Sequence, residues 1–164
     1  MQRIIELAQS VIDEYGGRDI FETAENSGAR VWFRSIGTLK GFYVFENGKR
    51  YIIVNSALSR MMKRVVCAHE LGHDMLHREL SAGGIRDGTL FLDSNKTERE
   101  ANLFAASILI PDSDILSEIT YCRSVEALAY QLDLPTELVE YKLELLNYQG
   151  YNFRCSPVKS DFLK

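Results

Sequence analysis

From Leu58 through His77 the chain carries no proline and a single glycine, Gly72, and inside that run His69 and His73 stand four residues apart. The run reads as one long helix, and on a helix residues i and i+4 leave the same face one above the other. Two imidazole nitrogens can then reach one ion about 2.0–2.1 Å from each. A hydrolytic metal centre takes three protein ligands, and the same straight helix cannot supply the third. Four residues rise about 6 Å, so His69, His73 and His77 together would span about 12 Å, too far for one ion with bonds near 2 Å. The chain must therefore fold so that a second element returns against this helix with a ligand of its own.

Glu70 follows the first histidine and lies beside the pair, where its carboxylate can take a proton from a metal-activated water without binding the ion. Val65, Val66, Ala68, Leu71, Met75 and Leu76 give the helix apolar support, and Gly72 permits another backbone to come close. The stretch from Lys96 to Ile110, stopped by Pro111, reads as a second long helix. Glu98 and Glu100 lie on it two residues apart, so they project roughly 200° apart and at most one faces the site. Glu98 has Asn102 at i+4, where an amide can hydrogen-bond a ligand histidine or the carboxylate. The ligands are therefore read as His69, His73 and Glu98, the ion as zinc and the base as Glu70. Glu100 is read as a solvated helix charge, and His77 as a supporting histidine outside the ligand set. No second oxyanion donor stands out among His77, Tyr51 and Tyr121.

Before the histidine helix, Ile4, Ile5, Ala8, Val11, Ile12 and Tyr15 recur at helical spacing and stop at Gly16-Gly17, predicting an amphipathic first helix. A short second helix over Asp19 to Glu25 ends near Asn26-Ser27-Gly28, and Ala29 to Arg34 turns to β-branched and aromatic residues. Lys40 to Phe45 and Arg50 to Asn55 flank Asn47-Gly48, a strong hairpin signal. These three runs predict a three-stranded antiparallel sheet, with Tyr51 to Asn55 as an edge able to pair with an extended peptide. Ser56 is the expected cap of the histidine helix. Ser81 to Asn95, between the two ligand helices, is expected to border the cleft and to dock Phe91 and Leu92. Shorter helices near Ser124 to Gln131 and Pro135 to Asn147 precede a polar tail. The fold class is thus α+β: a small antiparallel sheet packed against the two ligand-bearing helices, with C-terminal helices. Residues 1–122 are read as the metal-binding domain and 123–164 as a C-terminal helical region and tail.

With 46% hydrophobic and 26% charged residues in 164, the chain is neither collagenous nor wholly disordered. A formal charge of −4 lacks the basic excess of proteins that hold phosphate backbones, so no direct nucleic-acid binding is expected. Cys67, Cys122 and Cys155 form no CxxC pair, which favours a reducing compartment. The N-terminus is amphipathic and charged where a signal peptide is apolar, and no apolar run approaches the ~20 residues that span a bilayer. A soluble cytoplasmic protein away from the membrane is expected, and nothing in the sequence sets its oligomeric state.

Ala68-His69-Glu70-Leu71-Gly72-His73-Asp74-Met75-Leu76-His77, followed by Glu98-Arg99-Glu100-Ala101-Asn102-Leu103-Phe104-Ala105-Ala106 and Ile108-Leu109-Ile110-Pro111, resembles the ImmA/IrrE family of zinc endopeptidases. That family joins an A-H-E-L-G-H-x-x-L-H helix to an E-x-x-A-N/D-x-F-A-A helix with an L-L-M-P-like stop. Ile108 and Ile110 depart from the stop, apolar for apolar. With the preceding Ile52-Ile53-Val54-Asn55 strand, the likeness covers about residues 50 to 111. It implies His69, His73 and Glu98 as zinc ligands in thermolysin-like order and Glu70 as catalytic acid/base, with Asn102 at the family's Asn/Asp position. It also implies a protein substrate, because several members cut a cognate helix-turn-helix repressor in mobile elements or stress responses. A single regulatory cut, and so a part in transcription regulation, is the implied activity. Two other readings use the same residues: a zinc hydrolase of a small amide, and a non-catalytic metal-containing regulator. Val125 to Pro135 faintly suggests a helix-turn-helix, but Glu137, Glu140 and Glu144 crowd its second helix and speak against DNA.

Overall fold

The computed structural model describes residues 1–16, 19–81, 94–153 and 163, and is α+β: among the described residues there are seven helices and a three-stranded sheet. The first helix, α1 (Gln2–Tyr15), buries Ile4, Ala8 and Val11 along one face. It stops at Gly16, whose φ of 88° suits a residue without a Cβ and whose N–H donates to the Ile12 carbonyl at 2.9 Å. The next, α2 (Ile20–Asn26), is capped by Asp19, which accepts from the Phe21 N–H at 2.9 Å.

The strands are β1 (Ala29–Arg34), β2 (Gly41–Glu46) and β3 (Lys49–Asn55), in the order β1-β3-β2. The hairpin forms as expected, through a two-residue turn in which Asn47 (φ 50°) and Gly48 (φ 72°) take the left-handed conformations of a type I′ turn. The sheet is mixed, however, and corrects the all-antiparallel expectation: β1 pairs with β3 in parallel, Val31 opposite Ile52 and Phe33 opposite Val54. Parallel neighbours need a crossover of a dozen or more residues, usually a helix; here β2 and its turns serve as that crossover. The hairpin therefore folds back so that β3 enters between its neighbours. Tyr51 to Asn55 is accordingly the central strand and not an edge; the edges are β1 and β2. Central placement explains why Ile52 and Val54 are fully buried.

The chain leaves the sheet through Asn55, whose side-chain amide donates to the carbonyls of Gly37 and Leu39 at 3.0 and 2.7 Å. The Ser56 N–H still bonds back to Arg34, so the helix cap falls later, at Ser59, whose hydroxyl accepts from the Met62 N–H at 3.2 Å. The histidine helix, α3 (Arg60–Ser81), is helical until His77, where φ −131° and ψ 18° break the regular path. Residues 82–93 lie outside the described residues, as do Phe91, Leu92 and most of the stretch expected to border the cleft; so does Cys155.

The second helix expected to carry a ligand is α4 (Ser94–Leu109), followed by a helix the sequence reading passed over, α5 (Asp112–Glu118). Pro111 starts α5, Asp112 and Asp114 favour its positive end, and Ile115 is its buried anchor. Next come α6 (Val125–Leu132), capped by Ser124, and α7 (Thr136–Tyr148), which buries Leu138, Val139, Tyr141, Leu143, Leu145 and Leu146. α7 packs on α4 and α6, and one apolar cluster runs from Ile4 through Ile52, Leu71 and Phe104 to Leu146. No described helix is long and apolar enough to cross a membrane.

Candidate metal centre

The inner face of α3, formed by Val65, Val66, Ala68 and Leu71, is buried to 1% exposure or less, which fixes the rotation of the helix and thereby the direction of its histidines. Gly72 sets the distance to α4. A Cβ there would lie 3.1 Å from the Ala101 Cα and 3.2 Å from its carbonyl oxygen, so the two backbones meet where glycine stands. Glu98 is one turn before Ala101, and the crossing brings it opposite His69 and His73.

The Nε2 atoms of His69 and His73 are 3.1 Å apart, and they lie 3.6 and 3.4 Å from carboxylate oxygens of Glu98. A tetrahedral ion with bonds of about 2.0–2.1 Å separates its ligands by about 3.3–3.4 Å, and the three spacings bracket that figure. Two imidazoles and a carboxylate at these spacings fit a divalent cation. Asn102, one turn beyond Glu98, is buried and presents its Oδ1 2.8 Å from His69 Nδ1. The amide oxygen accepts the Nδ1 proton, which leaves the Nε2 lone pair facing the cluster. Burial works against the charge of Glu98, but the two histidines beside it outweigh that and hold its carboxyl well below the usual range.

Glu70 is 8% exposed and points at the edge strand, where the Tyr43 backbone N–H bonds its carboxylate. Its oxygen would stand only 3.6 Å from a Cβ on Gly41. Burial pushes the Glu70 carboxyl up to about 7, only partly offset by the charge of His73. A buried carboxyl beside a candidate cation site is placed to accept and return a proton.

Two groups depart from the sequence reading. Glu100, expected as a solvated charge, bonds His77 Nε2 at 2.9 Å with a side chain 34% exposed. His77 in turn sets its Nδ1 3.3 Å from Nδ1 of His73, and burial lowers its pKa against the pull of Glu100. Asp74, which the sequence reading gave no role, is fully buried and accepts from Tyr43 Oη at 2.7 Å, Arg50 Nη1 at 2.8 Å and Arg78 Nε at 3.1 Å. Arg50 also donates to the Ser27 carbonyl. This knot ties α3 to β2, β3 and the end of α2 directly behind His73. A charged residue amid an apolar helix face was the signal for it. Of the oxyanion candidates, Tyr51 packs on Trp32 and Tyr121 is 83% exposed.

The IrrE N-terminal-like domain matches this sequence over residues 24–144, from α2 to α7. The chain is 34% identical over 112 residues to uncharacterized immunity region protein 2 of Bacillus phage phi105, covering 67% of this chain and 70% of that one. It is 25% identical over 137 residues to metallopeptidase ImmA of Bacillus subtilis strain 168, covering 82% and 80%.

Proposed function

This chain belongs to the IrrE N-terminal-like domain family and is a metallopeptidase; within that class, we propose a zinc-dependent endopeptidase that makes a site-specific cut in a cognate helix-turn-helix repressor. His69, His73 and Glu98 are the proposed zinc ligands and Glu70 the acid/base. The observation that carries the reading is the close spacing of donors from two different helices: the Nε2 atoms of His69 and His73 are 3.1 Å apart, and each has a carboxylate oxygen of Glu98 within 3.6 and 3.4 Å respectively. When bound, zinc supplies a Lewis acid that makes a water nucleophilic near neutral pH and polarises a carbonyl. Glu70 takes the proton from the attacking water and returns it to the leaving amine, while Asn102 keeps His69 turned toward the ion. Among the described residues β2 is an edge strand that borders Glu70, and such an edge suits an extended peptide added as a further strand. The resemblance to repressor-cleaving enzymes and the likeness to a phage immunity region protein support the substrate class.

The purified protein should hold about one zinc, and less after His73→Ala or Glu98→Ala. Glu70→Gln should keep the zinc while cleavage falls by a factor on the order of 10² to 10⁴. Co-expression with a helix-turn-helix repressor encoded beside this chain should yield a shortened repressor with wild type and an intact one with Glu70→Gln. Undiminished cleavage by that variant would remove Glu70 from its role, and an intact repressor beside enzyme active on other peptides would discard the substrate.

A further inference from the structure

We propose that Glu100 and His77 are positioning residues that set the proton arrangement of His73, a deduction that rests on the zinc reading above. If the Nε2 of His73 holds a cation, its ring proton is on Nδ1 and must be donated. The atom that faces it, 3.3 Å away, is Nδ1 of His77, which can accept only if it carries no proton. The ring proton of His77 must then sit on Nε2, and there a carboxylate oxygen of Glu100 waits at 2.9 Å. A carboxylate is acceptor-only, so Glu100 selects the Nε2–H form of His77, and that form selects the Nδ1–H form of His73. The lone pair that results on His73 Nε2 faces the same cluster as the one Asn102 directs from His69.

The break in α3 makes this possible. On an unbroken helix His77 would stack one turn beyond His73. At φ −131° and ψ 18° its ring instead lies with its centroid 5.5 Å from that of His73 and its far nitrogen on α4. The two ligand histidines are thus oriented by different means from the same helix: His69 directly by Asn102, and His73 through an intermediate ring by Glu100. Glu98 and Glu100 point in opposing directions, as helix geometry demands, yet both serve one centre because the His77 ring spans the gap.

The test uses the whole chain loaded with zinc, long-range imidazole ¹⁵N spectra, and zinc affinity from competition with a chromophoric chelator. His77 should show the Nε2–H tautomer in wild type. Glu100→Ala should abolish that preference and weaken zinc binding about tenfold, the lower end of what partners behind a ligand are worth. Glu100→Gln keeps the shape but can donate as well as accept, so it should leave the His77 tautomer mixed and the affinity below wild type, whereas a merely structural role for the side chain would be restored in full. Metal-free melting of all three proteins should agree, since Glu100 is partly exposed. Wild-type protein that takes up no zinc would overturn the metal reading, and this inference with it. Zinc-loaded wild type with His77 protonated on Nδ1, or Glu100→Ala with unchanged affinity, would overturn the inference alone.

Discussion

Replacing Gly72 by alanine sets two effects of opposite sign against each other. In an open helix the change stabilises by about 1 kcal/mol, because alanine loses less backbone freedom on folding. At this position the new Cβ would stand 3.1 Å from Ala101 Cα, 3.2 Å from Ala101 O and 3.2 Å from Phe104 Cδ1. All three are inside the roughly 3.5–4.0 Å of comfortable carbon contact. Two of those atoms are backbone, and Ala101 and Phe104 are wholly buried, so relief requires α4 to move as a body rather than a side chain to swing away. Overpacking of this kind costs about 1–3 kcal/mol, which exceeds the propensity gain and leaves a net loss of roughly 1 kcal/mol. Thermal melting should fall by about 2–4 °C for a domain of this size. Movement of α4 also carries Glu98 away from the two histidines, so zinc affinity should weaken in the same variant. Gly72→Ala that melts above wild type with unchanged zinc affinity would show that the crossing has room for a methyl, and the packing account would be wrong.

In the metal-free protein, burial raises the Glu70 carboxyl from its ordinary 4.5 to about 7. The folded state then holds that proton more tightly, so the associated stability is full below about 4.5 and lost as pH rises through 7; at pH 8 the buried charge costs on the order of 3 kcal/mol. Metal-free Glu70→Gln should therefore melt above metal-free wild type at pH 8, the gap closing toward pH 5, and a gap independent of pH would count against this. Asp74→Ala strips the acceptor from Tyr43 and from Arg50, whose side chain is 16% exposed, while Arg78 at 43% contributes little. Urea unfolding should reveal a loss of about 3–4 kcal/mol, and a loss under 1 kcal/mol would show the knot to be idle. Stripping zinc with a chelator should lower the melting temperature, and readdition in excess should restore it in proportion to the logarithm of free zinc.

What the sequence disclosed were features decided within a few residues of themselves. Asn47-Gly48 announces its turn because both positions need positive φ, and His69 and His73 announce theirs because helix pitch alone puts them on one face. Gly72 signalled a close crossing, and the 100° step of α4 left room for only one of Glu98 and Glu100 at the site, with Asn102 one turn on favouring Glu98. Strand order was not legible, since nothing in the Tyr51 to Asn55 run says whether it lies at the rim or in the middle of the sheet. The misreading of Glu100 has a similar source: its partner, His77, reaches it only because α3 leaves its helical path there, and no local signal marked that break. Asp74 draws its partners from Tyr43 and Arg50, 31 and 24 positions away in the chain, beyond any periodicity. Ser56 lost the capping role to Ser59 because its own N–H was still committed to Arg34 across the sheet.

The insertion of β3 between its neighbours gives the Asn47-Gly48 tip an importance that its distance along the chain from the histidines conceals. Val31, Ile52 and Tyr43 form one row across the three strands, and the end of that row holds Glu70 through the Tyr43 backbone and Asp74 through the Tyr43 hydroxyl. Hairpin tips are ordinarily where a protein accepts extra residues without complaint. Here the tip works as a ruler: the spacing it sets on one side is copied to the parallel neighbour on the other, and Glu70, the proposed general base, is hung from the result. An added residue absorbed by sliding β2 would leave His69, His73 and Glu98 untouched on their helices, yet unhook Glu70 from its strand. The outcome would be a chain still able to hold its ion with the proton carrier displaced.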